Sequence, residues 1–223
     1  MGGPMRGVSK RLGVALLCAA VVGCAGGDRT PRREPAAPAR PSGIDSPEIR
    51  QCLADLATIG ARVTPLPDRD HGQGCSAYGS VRLDQASVPV SNLGPMRCPL
   101  ARAFAGWLRH GVGAAARVYF GTELARVESY GSYACRNING AQAGRRSEHA
   151  QANAVDIAAF VLADGRRISI KADWRSRDPQ VRAFLAAIHA SACKRFATVL
   201  SPEYNALHAD HLHLDMGRGP FCR

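Results

Sequence analysis

Six cysteines, Cys52, Cys75, Cys98, Cys135, Cys193 and Cys222, run the length of the main body of this chain and limit its folds more than any other feature. Two further cysteines, Cys18 and Cys24, fall in an N-terminal segment with the character of an export signal and stand apart. An even set of cysteines in an exported chain predicts three disulfides, closed in an oxidising compartment. The spacing leaves fifteen pairings open. A cysteine zinc site is disfavoured because no C-x-x-C spacing occurs. A catalytic thiol would need an odd cysteine left over, and the even set provides none.

The export signal rests on charge and length. Met1 to Arg11 carries Arg6, Lys10 and Arg11 and no acid, and Leu12 to Val22 is almost wholly apolar. An apolar run of about 11 residues is too short for a stable membrane span but suits a signal core. Val21-Val22-Gly23-Cys24 then resembles the bacterial lipobox, which predicts a lipid on Cys24 and makes residues 1–24 a signal peptide with lipobox. Ala25 stands where an Asp often retains a lipoprotein in the inner membrane, so the outer membrane is expected, with the protein on its periplasmic face. Residues 25–43 carry Pro31, Pro35, Pro38 and Pro41 among arginines and show no apolar period. They read as a semi-rigid extended spacer. Residues 44–223 are one domain's length, with no internal repeat, and the chain is expected to act as a monomer.

The net charge is +11, part of it in the signal and spacer. A basic exported domain meets anionic polymers or membranes. Nucleic acid is excluded as a partner by the compartment and by the scarcity of aromatic residues.

Within the domain, Ser46-Pro47-Glu48 opens a helix, with Ser46 as cap, Pro47 at the first position and Glu48 near the positive dipole end. Ile49, Cys52, Leu53 and Leu56 mark its apolar face. Glycine-rich Arg69 to Cys75 predicts a loop. Val81–Leu83 and Val88–Val90 read as short strands or edges, and Pro99 starts a second helix burying Leu100, Phe104, Trp107 and Leu108. A strand is predicted over Leu124–Tyr130, followed by a turn at Gly131–Arg136. Residues 154–161 alternate, with Asp156, Ala158 and Phe160 on one face. Asp164-Gly165 is a hairpin turn leading to a strand at Arg167–Ile170. Asp178-Pro179 caps a third helix, and Thr198–Leu200 and His211–Asp215 read as strands. The fold class is α+β, an antiparallel sheet with helices mainly on one side, stapled by disulfides.

The chemistry lies in two segments, Ser147-Glu148-His149 to Asp156-Ile157 and His208-Ala209-Asp210-His211-Leu212-His213-Leu214-Asp215. Zinc takes nitrogen from His and oxygen from Asp, and a catalytic site keeps one position for water. If the two strands are neighbours, His149, Asp156 and His213 supply three ligands and leave that position open. Strand alternation sets His211 on the face of His213, within reach for acid–base work. Asp210 and His208 are candidates to orient a ligand or shuttle a proton. Arg136 suits a substrate carboxylate or a developing oxyanion. Ser147 is expected to hydrogen-bond the turn or a ligand His. Asp215 is expected to be solvated or ion-paired, Glu148 solvated, and His71, His110 and His189 ordinary surface or helix residues. Trp107 and Trp174 read as core.

These segments, with Gly131–Arg136, Asp173-Trp174, Phe184-Leu185, Phe196–Leu200 and the cysteines, resemble the bacterial extensin-like C-terminal domain family. That family in turn resembles zinc peptidases of the D-alanyl-D-alanine carboxypeptidase, lysostaphin and hedgehog fold group. Ser147-x-His149, six residues, then Asp156 matches their S-x-H-x6-D motif; Asp210-x-x-His213 and His211-x-His213 match their second motif. The resemblance implies His149, Asp156 and His213 as ligands of Zn2+, Arg136 as the oxyanion or substrate group, and His211 or Asp210 as the acid–base residue. The chain departs from the Glu-x-x-His form of many such enzymes and carries both substitutes. The expectation is an exported zinc-dependent hydrolase cleaving amide bonds in peptidoglycan peptides, of carboxypeptidase or endopeptidase type. The alternative is a noncatalytic cell-wall-binding or structural lipoprotein on the same fold.

Overall fold

The computed structural model describes residues 46–223. The signal peptide, the lipobox with Cys24 and the spacer lie outside the described residues. Helix α1 (Pro47–Thr58) starts as expected: Ser46 Oγ accepts from the Ile49 N–H at 3.2 Å, and Cys52 and Leu56 are buried. Strands β1 (Arg62–Pro65), β4 (Ser80–Gln85) and β5 (Met96–Arg97) form a small antiparallel sheet in the order β1-β4-β5.

The segment expected to be a glycine-rich loop is instead a hairpin, β2 (Arg69–Gly72) with β3 (Cys75–Ala77). Its glycines supply the turn: Gly72, Gln73 and Gly74 all take positive φ, which the two glycines accept without strain. Val88–Val90 forms no strand and makes a single bridge, Val90 to Val127.

Helix α2 (Cys98–Trp107) runs through a π-helical turn (Leu108–Val112) into α3 (Gly113–Phe120). A Cβ on Gly111 would lie 2.6 Å from Ser191 Oγ and 2.9 Å from Trp107 Cδ1, so this turn presses the chain against α5 (Pro179–Cys193). The main sheet comprises β6 (Leu124–Gly131), β7 (Ala154–Leu162), β8 (Arg167–Ser169), β9 (Thr198–Leu200), β10 (Leu212–Asp215) and β11 (Phe221–Cys222), in the order β11-β9-β10-β7-β6 with β8 also on β7. The short helix α4 (Ile170–Asp173) takes Ile170 out of the expected strand. β6 runs along one edge of β7, while β10 and β8 share the other, at Ala154–Ile157 and Ala159–Val161 respectively. All these pairings are antiparallel, but β11 joins β9 in parallel, so the sheet is not purely antiparallel.

Ala154 to Phe160 of β7 are buried on both faces of the strand. A strand covered on both sides tolerates a carboxylate only where partners neutralise it. Beneath lies an aromatic core in which Trp107 meets Phe160 edge-on at 6.0 Å and Phe196 at 6.1 Å, and donates its indole N–H to the Ile188 carbonyl at 3.1 Å. These contacts tie α2 and α5 to the sheet.

Three disulfides form: Cys52–Cys98 joins α1 to α2, Cys75–Cys135 joins the hairpin to the turn after β6, and Cys193–Cys222 joins α5 to β11. Their Cα–Cα distances, 6.2, 5.6 and 5.7 Å, fall in the ordinary disulfide range. Among the described residues no helix is long and apolar enough to cross a membrane.

Candidate metal centre

The register of β10 on β7 sets His213 directly opposite Asp156. Both residues are buried, at 8% and 6% exposure, as is His149 at 2%. His149 reaches them from a 3-10 turn, Glu148–Gln151, that precedes β7. Ser147 caps this turn, its Oγ accepting from the His149 N–H at 3.3 Å, and Ala152 closes it in a left-handed conformation. Glu148 is half-buried rather than solvated, its carboxylate accepting from the Asn153 amide at 2.7 Å.

Acceptor atoms of three residues converge here, Asp156 offering both of its carboxylate oxygens. His149 Nε2 lies 3.1 Å from Asp156 Oδ2 and 3.2 Å from His213 Nδ1, and His213 Nδ1 lies 2.9 Å from Asp156 Oδ1. Tetrahedral zinc with bonds of about 2.0–2.1 Å holds its ligand atoms about 3.3 Å apart, so the triangle is close to zinc-sized.

The fourth contact fixes the protons. His213 Nε2 donates to Asp215 Oδ2 at 2.9 Å, while Asp215 Oδ1 accepts from the Gly217 N–H at 2.8 Å. With its Nε2 proton committed, a neutral His213 turns the Nδ1 lone pair toward the Asp156 carboxylate and His149. Facing lone pairs need a cation between them, either a metal or a second proton. Without metal a proton fills the role: burial opposes charge on His213, but hydrogen bonds and charge from Asp156 and Asp215 overcome it and raise the imidazole to about 9. Burial likewise would raise Asp156, yet the hydrogen bonds and charges of His149 and His213 hold its carboxyl far below the usual range. The donor set, two imidazoles and a carboxylate backed by a second carboxylate, fits zinc.

Of the two alternatives expected for Asp215, the structure gives the ion-paired one, with His213 as its partner, and not the solvated one. Asp215 is buried and orients a candidate ligand. The i, i+2 alternation of the last strand already placed it on the face of His213, and that was the signal for this role.

Around the triangle stand the other expected residues. The His211 Nδ1–H donates to Asp210 Oδ1 at 2.8 Å, which leaves Nε2 as the basic nitrogen, 3.7 Å from Asp156 Oδ1. Its ring also meets Tyr130 edge-on at 5.9 Å. Asp210 reaches the centre only through His211. Arg136 Nη2 lies 3.6 Å from Asp156 Oδ2, with its side chain 42% exposed. Its backbone is laced to the ligand turn, since the Ser147 N–H donates to the Arg136 carbonyl at 3.1 Å and the Ala134 N–H to the His149 carbonyl at 3.2 Å. His208 lies 5.1 and 6.0 Å from the His211 and His213 rings and donates from Nδ1 to Asn205 Oδ1 at 2.8 Å. Burial, then the neighbouring His211 and His213, push its imidazole down to about 4. Asn205 was missed in the sequence; it caps the turn Ala206–His208 and anchors His208 at once.

A cleft of about 340 Å³ opens beside the centre, lined by His208, His211, His213 and Asp215 and rimmed by Arg136, Arg145, Arg146 and Arg218. The second grouping of metal-binding residue types among the described residues, His189 with Cys193 and Cys222, has both thiols committed to a disulfide. His189 is a helix residue of α5, as expected, half-buried against that disulfide and Trp174.

A family model described as "Extensin-like protein C-terminus" matches residues 50–223. No curated protein and no solved structure matches the chain.

Proposed function

The chain belongs to the extensin-like protein C-terminus family, and from that premise and the centre's geometry we propose that it is an exported, zinc-dependent hydrolase cleaving amide bonds in peptidoglycan peptides. The carrying observation is the triangle of His149 Nε2, the Asp156 carboxylate and His213 Nδ1, beside a cleft that His213 lines. The likeness to the D-alanyl-D-alanine carboxypeptidase and hedgehog-type zinc peptidases is part of the proposal. It is supported by the S-x-H-x6-D spacing at Ser147, His149 and Asp156. Delivery to the periplasm and anchoring through Cys24 are supported by the N-terminal signal and its lipobox.

His149, Asp156 and His213 would hold the zinc, which supplies a water of lowered pKa and a polarised substrate carbonyl. The chain's own residues do the rest. Asp215 keeps the His213 proton on Nε2, so Nδ1 is available as a donor atom. Asp210 keeps the His211 proton on Nδ1, so Nε2 takes a proton at the cleft and returns it to a leaving amine. Arg136, charged and partly exposed beside Asp156, faces the negative charge that develops on a carbonyl oxygen.

Metal content and turnover test this reading together. The oxidatively folded wild-type chain is expected to bind about one zinc, and a His149→Ala, His213→Ala double variant none. Cleavage of peptidoglycan stem peptides is expected to fall by about 10²- to 10⁴-fold in His211→Ala, as for loss of a general acid–base residue. A folded wild-type chain that takes up no supplied zinc, or equal cleavage by wild type and His211→Ala, overturns it. A zinc-free chain that still retains peptidoglycan would be a cell-wall-binding lipoprotein.

A further inference from the structure

The rim of the cleft carries more positive charge than the centre can use. Four arginines line it, Arg136, Arg145, Arg146 and Arg218. Arg136 is partly neutralised by Asp156. Arg146 is held by neutral groups, the Gln73 carbonyl at 2.6 Å and Asn137 Oδ1 at 3.0 Å, and so keeps its full charge. The side chains of Arg145 and Arg218 are exposed, with no hydrogen bond or ion pair among the described residues. Of the two acids of the lining, Asp215 is committed to His213 and the Gly217 N–H, while Glu148, held by the neutral Asn153 amide, keeps its charge and offsets one cation, so the rim retains a positive excess. Elsewhere on the surface arginines do find carboxylates, as Arg82 does with Asp84, Arg102 with Asp55 and Arg167 with Glu128. Other cations of the described residues also stand outside any ion pair, among them Lys171, Arg175, Lys194 and Arg195, but the cleft beside the centre brings Arg145, Arg146 and Arg218 around one opening.

The rest of the lining says what kind of anion fits. Ile138 and Leu207 stand in the same cleft at 40% and 59% exposure and offer alkyl surface. A bare inorganic anion gains nothing from them, whereas an acidic peptide presents alkyl groups and carboxylates together. No Phe, Tyr or Trp lines the cleft, so a nucleobase would find no large stacking platform there.

We propose that Arg145 and Arg218 make the cleft selective for acidic peptides, pairing with free carboxylates of a chain seated over the His149–Asp156–His213 centre. This rests on the hydrolase reading for its choice of peptide. Recognition of carboxylates is a property of the rim, separable from turnover at the centre.

The test uses two fluorescent stem peptides of one sequence, one with its carboxylates free and one with them amidated. Each is titrated against the zinc-loaded full chain at low ionic strength, where exposed ion pairs are least screened, and anisotropy is read before product accumulates. The acidic peptide is expected to bind roughly three- to tenfold tighter, the range that two exposed ion pairs support. An Arg145→Gln, Arg218→Gln double variant, with unchanged zinc content, is expected to bind both peptides alike. Equal affinity of the wild type for the two peptides, or a preference that survives in the double variant, overturns the proposal. Product is followed by mass spectrometry in the same samples. Selective binding without product counts against the hydrolase reading and for the rim; product without selectivity does the reverse.

Discussion

His213 and Asp215, two residues apart on one face of β10, are joined by a 2.9 Å hydrogen bond from the imidazole Nε2 to the carboxylate. That bond decides which nitrogen of His213 faces Asp156 and His149, and so whether the three donor atoms form one site.

Asp215→Asn tests this relationship without changing shape. The amide can present its NH2 to His213 Nε2, which favours the tautomer with the proton on Nδ1, the nitrogen a metal needs. Zinc affinity is expected to fall by about 10- to 100-fold, as for loss of an outer-shell carboxylate, measured by competition with a chromophoric chelator. Unchanged affinity in a folded variant would separate Asp215 from the metal centre.

The metal-free chain should carry its own pH signature. His213 rises from 6.5 in the unfolded chain to about 9 in the fold, so its contribution is complete below pH 6.5 and is lost as pH rises through 9. His208 moves the other way, from 6.5 down to about 4, so the fold loses stability as pH falls from 6.5 through 4. Asp156, held below its ordinary 3.8, adds a further loss at still lower pH. Thermal denaturation in the presence of a chelator is therefore expected to show greatest stability near pH 6.5, with a decline toward pH 9. Zinc replaces the His213 proton, so the alkaline decline should disappear on loading. An alkaline limb identical with and without zinc would show that no metal displaces that proton.

The Cys75–Cys135 disulfide reaches the site through the backbone. It ties the β2–β3 hairpin to the residue preceding Arg136, and Arg146 reinforces the link by donating to the Gln73 carbonyl. Closing residues 60 apart restrains the unfolded chain by about 4 kcal/mol in the chain-entropy picture. Cys75→Ala, Cys135→Ala is expected to lower the urea midpoint accordingly and to reduce turnover more than zinc content, because Arg136 is loosened while His149, Asp156 and His213 stay on their turn and strands. A variant that loses zinc and turnover in equal proportion would place the hairpin's role in the ligand frame instead.

Much of this was legible in the linear sequence because the signals are local. Ser46-Pro47 and Asp178-Pro179 start their helices through their own side chains and ring geometry. Asp164-Gly165 turns the chain where it stands, with Gly165 at positive φ. The alternation of β7 and the i, i+2 spacing of His211, His213 and Asp215 follow from strand geometry alone. The hairpin at Arg69–Ala77 was not legible, because β2 is short, polar and exposed and β3 is only three residues long, too short to show an apolar period. Its pairing depends on the disulfide and on Arg146, both supplied from far along the chain.

The sequence by itself determined which side chains were available for a metal and which faces they shared within each strand. Only the tertiary structure decided that they meet. The register of β10 on β7 brings Asp156 and His213 together across 57 residues of chain, and one of fifteen disulfide pairings is selected. The burial that turns Asp215 into the partner of His213 is likewise a product of the packed sheet. Register and pairing are set by the joint fit of the core around Trp107 and Phe160 and by strand-to-strand hydrogen bonds, and those energies exist only once distant segments are in contact.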